Sequence, residues 1–138
     1  MPAKPYRDIK IASSFSHAKK AEERIVNRTL ECGYDEETIF AIRLSLEEAL
    51  SNAIRHGNSG DNKKKIHIRY YVDEECFDIF VADEGDGFDP ACVPDPTTSD
   101  KLACPSGRGI MLMKAYMNLV EYNHKGNTVH LVKMCKAG

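Results

Sequence analysis

The sequence predicts an α+β protein folded as one domain, and three patterns carry that expectation. KIHIRYYV (Lys65 to Val72) and CFDIFVAD (Cys76 to Asp83) alternate apolar and polar residues around a short acidic turn, as paired antiparallel strands do. Upstream, two stretches from Ser16 to about Cys32 and from Asp35 onward space their apolar residues as helices do. Downstream, a third helical stretch leads into two more strands around a turn at His124 to Asn127.

The bulk properties agree. A chain of 138 residues is near the commonest single-domain size and can bury a core. Hydrophobic residues at 42% and charged residues at 29% describe an ordinary soluble domain, expected in the cytoplasm. The net charge is −2, and Lys63 to Lys65 is a solvated turn rather than a nucleic-acid surface. No stretch approaches the ~18 apolar residues of a membrane span, and MPAKPYRDIK lacks the apolar centre of a signal peptide. Five cysteines, with no C-x-x-C spacing, are expected as reduced thiols. Cys92 and Cys104 share one loop, which leaves room for a regulatory disulfide.

In order, DIKIASSF (residues 8–15) reads as a first, edge strand. Ser16 is expected to cap a helix whose apolar positions Ala18, Ala21, Ile25, Val26 and Leu30 fall at helical spacing, with Gly33 ending it. His17 is expected to face solvent in its first turn. Asp35 starts the second helix, with Glu36 and Glu37 where the helix dipole favours acids. Ile39, Ile42, Leu46, Leu50 and Ala53 form one apolar stripe, while Phe40 and Leu44 form another, so this helix is expected to pack on both sides. Arg43, Glu47, Ser51 and Arg55 make a row expected to face solvent. Residues 84–106, rich in Gly, Pro, Asp, Thr and Ser, exceed the loop a compact domain ordinarily carries, and such loops serve as lids or binding segments. SGRGIMLMKAYMN (Ser106 to Asn118) then resumes helical spacing.

Three motifs suggest chemistry. Glu48 and Asn52 stand one turn apart on one side of the second helix, followed by His56, Gly57 and Asn58. A carboxylate and a carboxamide so placed suit a general base beside an oxygen ligand for a hard cation such as Mg²⁺. Asp83-Glu84-Gly85-Asp86-Gly87-Phe88 ends a strand, where an Asp can accept from an exocyclic amine and glycines let backbone approach a flat ligand. Gly107-Arg108-Gly109 opens a helix whose N–H groups can bind phosphate. Singly, these fit a solvated helix, an acidic turn and a surface cap. Neither a P-loop G-x-x-x-x-G-K-S/T nor a Rossmann glycine pattern is present.

Their order is the informative part. The set resembles the GHKL ATP-binding fold (the Bergerat fold of gyrase, Hsp90, MutL and histidine kinases) over about residues 35–135. That resemblance implies a two-layer α/β sandwich, with a mixed, mostly antiparallel sheet, helices on one face and a long ATP lid at 89–105. It implies Mg²⁺ on Asn52, the adenine amine on Asp83, adenine between Gly85 and Gly87, and phosphates at Gly107 and Gly109. The implied ATP-binding set also includes His56, Phe88, Ser106, Arg108 and Ile110, with Thr128 of Gly126-Asn127-Thr128 closing the pocket near Asp83.

Within that group the chain looks most like the stand-alone anti-sigma-factor serine kinases of bacterial partner switching. SLEEALSNAIRHGN places Glu48 where those kinases carry a catalytic Glu, and GRGIMLMKAYMNLVEY resembles their glycine helix running straight into a strand. ACVPDPTTSDKLACPSGRG departs from their lid. The resemblance implies phosphorylation of a small antagonist protein on serine, binding of a sigma factor, and a homodimer using the strand and helix at 8–32. Two other readings stay open: an ATP-binding module that sequesters its partner without kinase activity, and a detached histidine-kinase catalytic domain. No direct nucleic-acid or membrane partner is expected.

Overall fold

Among the described residues five strands form one sheet in the order β1-β2-β3-β5-β4, and every pairing is antiparallel, so the sheet is not the mixed one expected. The structure, a computed structural model, describes residues 5–61, 63–85 and 107–135. Its elements are β1 (Arg7–Ala12), α1 (Phe15–Glu31), α2 (Glu36–Asn52), β2 (Lys65–Val72), β3 (Cys76–Asp83), α3 (Gly107–Tyr116), β4 (Leu119–Tyr122) and β5 (Thr128–Met134). A π turn, Ala53–Gly57, continues α2. β1 is an edge strand as expected, though it ends at Ala12.

The central hairpin has the expected boundaries because its turn is chemically specified. Asp73 Oδ1 accepts from Glu75 N and Cys76 N, both at 2.8 Å, which closes the chain tightly enough to pair Val72 with Phe77. The alternation then puts Ile66, Ile68, Phe77, Ile79 and Val81 on one face, where β5 adds Val129 and Leu131. Ile25, Ile42, Leu46 and Met113 from the three helices complete that core. Each such fully buried side chain contributes roughly 1.5–3 kcal/mol. On the opposite face Phe80 stacks on His130 at 4.0 Å, and the Tyr6 ring lies 6.1 Å from Phe80.

Three local expectations change. The α1 cap is Ser14, whose Oγ accepts from His17 N at 3.3 Å, so the helix begins one residue before Ser16. Ser16 stands inside the first turn, where its hydroxyl cannot reach the N3 amide that a cap serves. His17 is exposed in the first turn as expected, its Nδ1 2.6 Å from Ser14 Oγ, whereas Leu30, in the apolar row of that helix, is 55% exposed. Finally, the row Arg43, Glu47, Ser51 and Arg55 borders α1 rather than open solvent. Arg43 Nη1 reaches Glu23 Oε1 at 3.1 Å, and Lys19 Nζ is 3.8 Å from Glu47 Oε1.

The other helix ends follow the sequence. Gly33 has φ +83°, while Gly33 N donates to Leu30 O and Tyr34 N to Thr29 O, a glycine-dependent helix stop. Asp35 Oδ1 caps α2 by accepting from Thr38 N at 2.9 Å. α2 packs between α1 and α3, although Phe40 remains 56% exposed, its ring edge-on to that of Tyr116 at 5.8 Å. Cys32, Cys76 and Cys135 are in no disulfide among the described residues, while Cys92 and Cys104 lie outside them. Among the described residues no helix is long and apolar enough to cross a membrane.

Candidate functional site

α2 brings Glu48 and Asn52 to the edge where α3 begins. Glu48 Oε2 lies so close to Gly109 that a Cβ there would overlap it. A side chain at 109, the second glycine of Gly107-Arg108-Gly109, would displace that carboxylate. Asn52 is 9% exposed and looks into a narrow slot, whose polar lining also includes Asp83, Tyr122 and Asn127 between Ala49 and Val81.

The floor of the slot depends on the π turn. Asn58 N donates to Ala53 O at 2.8 Å, one residue longer than an α-helical bond, and this extra residue carries Gly57 against the end of β3. A Cβ at 57 would overlap the Asp83 carboxylate, and one at 85 would overlap the carbonyl oxygen of Gly57. Asp83 is held at its backbone by Asp83 N to Asn127 O (2.9 Å) and at its side chain by Gly85 N to Asp83 Oδ1 (2.9 Å). Burial pushes the Asp83 carboxyl above its ordinary value, while the Gly85 N–H opposes that rise. Burial also pushes the Tyr122 phenol up to about 12, with a hydrogen bond to Asn52 working the other way.

A second cavity, a groove of about 540 Å³, runs between α1 and α2. Phe15, Lys19, Glu22, Glu47, Glu48 and Arg55 lie along it. The Arg55 guanidinium sits 5.5 Å over the Phe15 ring at one end. Glu22, only 2% exposed, anchors the wall through Lys19 Nζ at 3.0 Å and Arg43 Nη1 at 3.4 Å. Burial raises its pKa, with Lys19 the main opposing partner. Glu48 is the residue common to the groove and the α3 terminus.

Glu48, Asn52, Asp83, Gly85 and Gly109 are thus brought to one region. Thr128 is next to it: it pairs with Ala82 and its Oγ1 donates to Asn127 Oδ1 at 3.4 Å, but Asn127 rather than Thr128 lines the slot. His56 lies in the π turn and lines neither cavity. Ile110 packs half-buried against the core. Gly107 opens α3, whereas Gly87, Phe88, Ser106, the segment 89–105 and the Arg108 side chain lie outside the described residues.

Sequence reasoning assigned no role to Gly57, Asn58, Tyr122, Asn127 or the groove. Gly57 and Asn58 had a signal, since they end a helix immediately after the Glu–Asn pair. Tyr122 and Asn127 had none, because their place depends on which strand lies beside β3.

The residues fit a nucleotide. Asp83 offers a partly buried acceptor for an amine, and the Asn52 carboxamide oxygen, on the same slot, is a hard ligand of the kind Mg²⁺ takes. Residues 13–133 match the model of the histidine kinase-like ATPase domain. The chain belongs to that family. It is similar to the serine-protein kinase RsbW of Bacillus subtilis (strain 168), 34% identical over 110 residues, which are 73% of this chain and 68% of that protein. It is 33% identical over 103 residues to the anti-sigma F factor of Bacillus thuringiensis (strain Al Hakam), covering 70% of each. The crystal structure of the RsbU and RsbW domains of Rv1364c from Mycobacterium tuberculosis shares its fold, with TM-score 0.64 and 16% identity over 96% of this chain. The chain spans 32% of that longer one.

Proposed function

We propose that the protein is an ATP-dependent serine kinase of the anti-sigma-factor type, acting in the cytoplasm on a small antagonist protein. The observation that carries this reading is the position of Glu48: its carboxylate lies against Gly109 at the start of α3 and also opens onto the α1–α2 groove. An acceptor segment seated in that groove would bring a serine hydroxyl to the carboxylate from the side opposite the slot.

Glu48 accepts the hydroxyl proton while the serine oxygen bonds to the γ-phosphorus and the bond to the β,γ-bridging oxygen breaks, releasing ADP. Asp83 would hold the base, the α3 N–H groups at Gly107 and Gly109 would meet the phosphates, and the Asn52 oxygen would hold the cation. Mg²⁺ bound there neutralises charge on the phosphate oxygens. A sigma factor as second partner and a homodimer through residues 8–32 belong to this reading, as does one domain over 1–138.

The test is incubation with labelled ATP and candidate antagonist proteins. Glu48→Gln should keep nucleotide affinity and lose phosphotransfer; retained transfer removes the base assignment. A second reading, a nucleotide-dependent sequestering module, is favoured by the anti-sigma factor names among the relatives. It predicts partner binding without label transfer in the unaltered protein.

A further inference from the structure

Asn58 has no exposed surface, and nothing above uses its side chain. Both ends of its carboxamide are engaged. Nδ2 donates to Lys65 O at 3.1 Å, and Oδ1 accepts from Glu84 N at 2.9 Å. Because one partner is a carbonyl and the other an N–H, the amide has only one workable orientation. Lys65 N in turn donates to Glu84 Oε1 at 2.8 Å, so Asn58, Lys65 and Glu84 close a three-membered ring of hydrogen bonds. His67 Nε2 holds the outer Glu84 oxygen at 2.9 Å.

This ring joins the end of the π turn, the start of β2 and the loop after β3. Its place matters more than its number of bonds. Asn58 follows Gly57, which touches both the Asp83 carboxylate and Gly85. Glu84 lies between Asp83 and Gly85, so the bond to Asn58 fixes the peptide next to the base acceptor. If that peptide rotated, the Gly85 N–H that aims Asp83 Oδ1 would move with it.

We propose that Asn58 is a positioning residue for base selection, holding Asp83 where it accepts from the exocyclic amine of adenine. At the same ring position guanine presents a carbonyl oxygen, which a fixed carboxylate repels and a loosened one can avoid. The inference rests on the reading of Asp83 as the adenine acceptor. A purely structural Asn58 would lower stability and weaken all ligands together, so the base ratio separates the two roles.

The test is calorimetric binding of ATP, GTP and inorganic triphosphate, each with Mg²⁺, to the full chain and four variants. Asn58→Ala should weaken ATP about tenfold and leave GTP and triphosphate within about twofold. Glu84→Ala, altering an exposed side chain, should shift the ATP:GTP ratio the same way by about threefold. Ile25→Val, which loosens the core far from the ring, should leave the ratio as in the parent. An unchanged ratio in Asn58→Ala overturns the inference; should that variant not fold, an unchanged ratio in Glu84→Ala overturns it. Asp83→Ala tells the two ideas apart. If it loses ATP while the ring variants do not, only the role of Asn58 fails. If it keeps full ATP affinity, the adenine reading fails and this inference with it.

Discussion

The floor of the slot and the wall of the α1–α2 groove are held by opposite kinds of interaction. At the floor, Gly85 meets the Gly57 carbonyl backbone to backbone and Gly57 meets the Asp83 carboxylate, with contacts a single methyl group would break. Along the groove, Lys19, Glu22, Glu23, Arg43 and Glu47 make ion pairs of 3.0–3.8 Å, and Lys19 is itself 58% exposed. Backbone packing admits one geometry, as a flat ligand requires. Exposed ion pairs rearrange at little cost, as a protein partner requires. The difference assigns ligand fidelity to the floor and adaptability to the groove.

Glu48 joins the two regions, and changing it should have the largest effect. Glu48→Gln is expected to reduce phosphotransfer by about 10²–10⁴-fold with nucleotide affinity unchanged, read as phosphoserine formed against ATP titration. Gly85→Ala comes next, because its Cβ would meet the Gly57 carbonyl, which has nowhere to go. Overpacking of this kind should cost about 1–3 kcal/mol in urea denaturation and weaken ATP further. Wild-type stability in that variant would break the contrast, since the floor would then be as yielding as the groove.

Asn52→Ala should weaken Mg·ATP by about tenfold while sparing nucleotide without metal, as for loss of one hard ligand. Equal affinities in the two titrations count against the metal role. The pH dependence is smaller and has a definite sign. Burial raises both Asp83 and Glu22, so over the window above their ordinary values of 3.8 and 4.5 the folded state binds more protons than the unfolded chain. Stability of the nucleotide-free protein should therefore fall as pH rises through that window, then level off. Asp83→Asn should flatten part of that fall while losing ATP, measured as urea midpoints across pH. The smallest effect belongs to the groove: Glu23→Gln, at an exposed end of these ion pairs, should change stability by less than about 1 kcal/mol.

Much of this was legible in the residues. Strand alternation placed β2 and β3, because a period of two has one way to face a core. Asp35 with Thr38 placed the start of α2, because a cap is a local bond. The spacing of Glu48 and Asn52 put them on one side of a helix before anything was known of what lay opposite. Ser14 was missed in favour of Ser16 because both are good caps and only the amide actually reached decides between them.

The chain alone therefore determined the elements, the ordered motifs and the family they resemble, since each depends on residues close in sequence. Tertiary structure decided what required distant segments to meet. It set Gly109 against Glu48, turned the supposed solvent row of α2 toward α1, and chose Asn127 rather than Thr128 to line the slot. It also made Asn58 a buried corner joining residues 65 and 84. The physical reason is the same in each case. A hydrogen bond or a missing Cβ has meaning only once its neighbour is known, and most of those neighbours are distant in sequence.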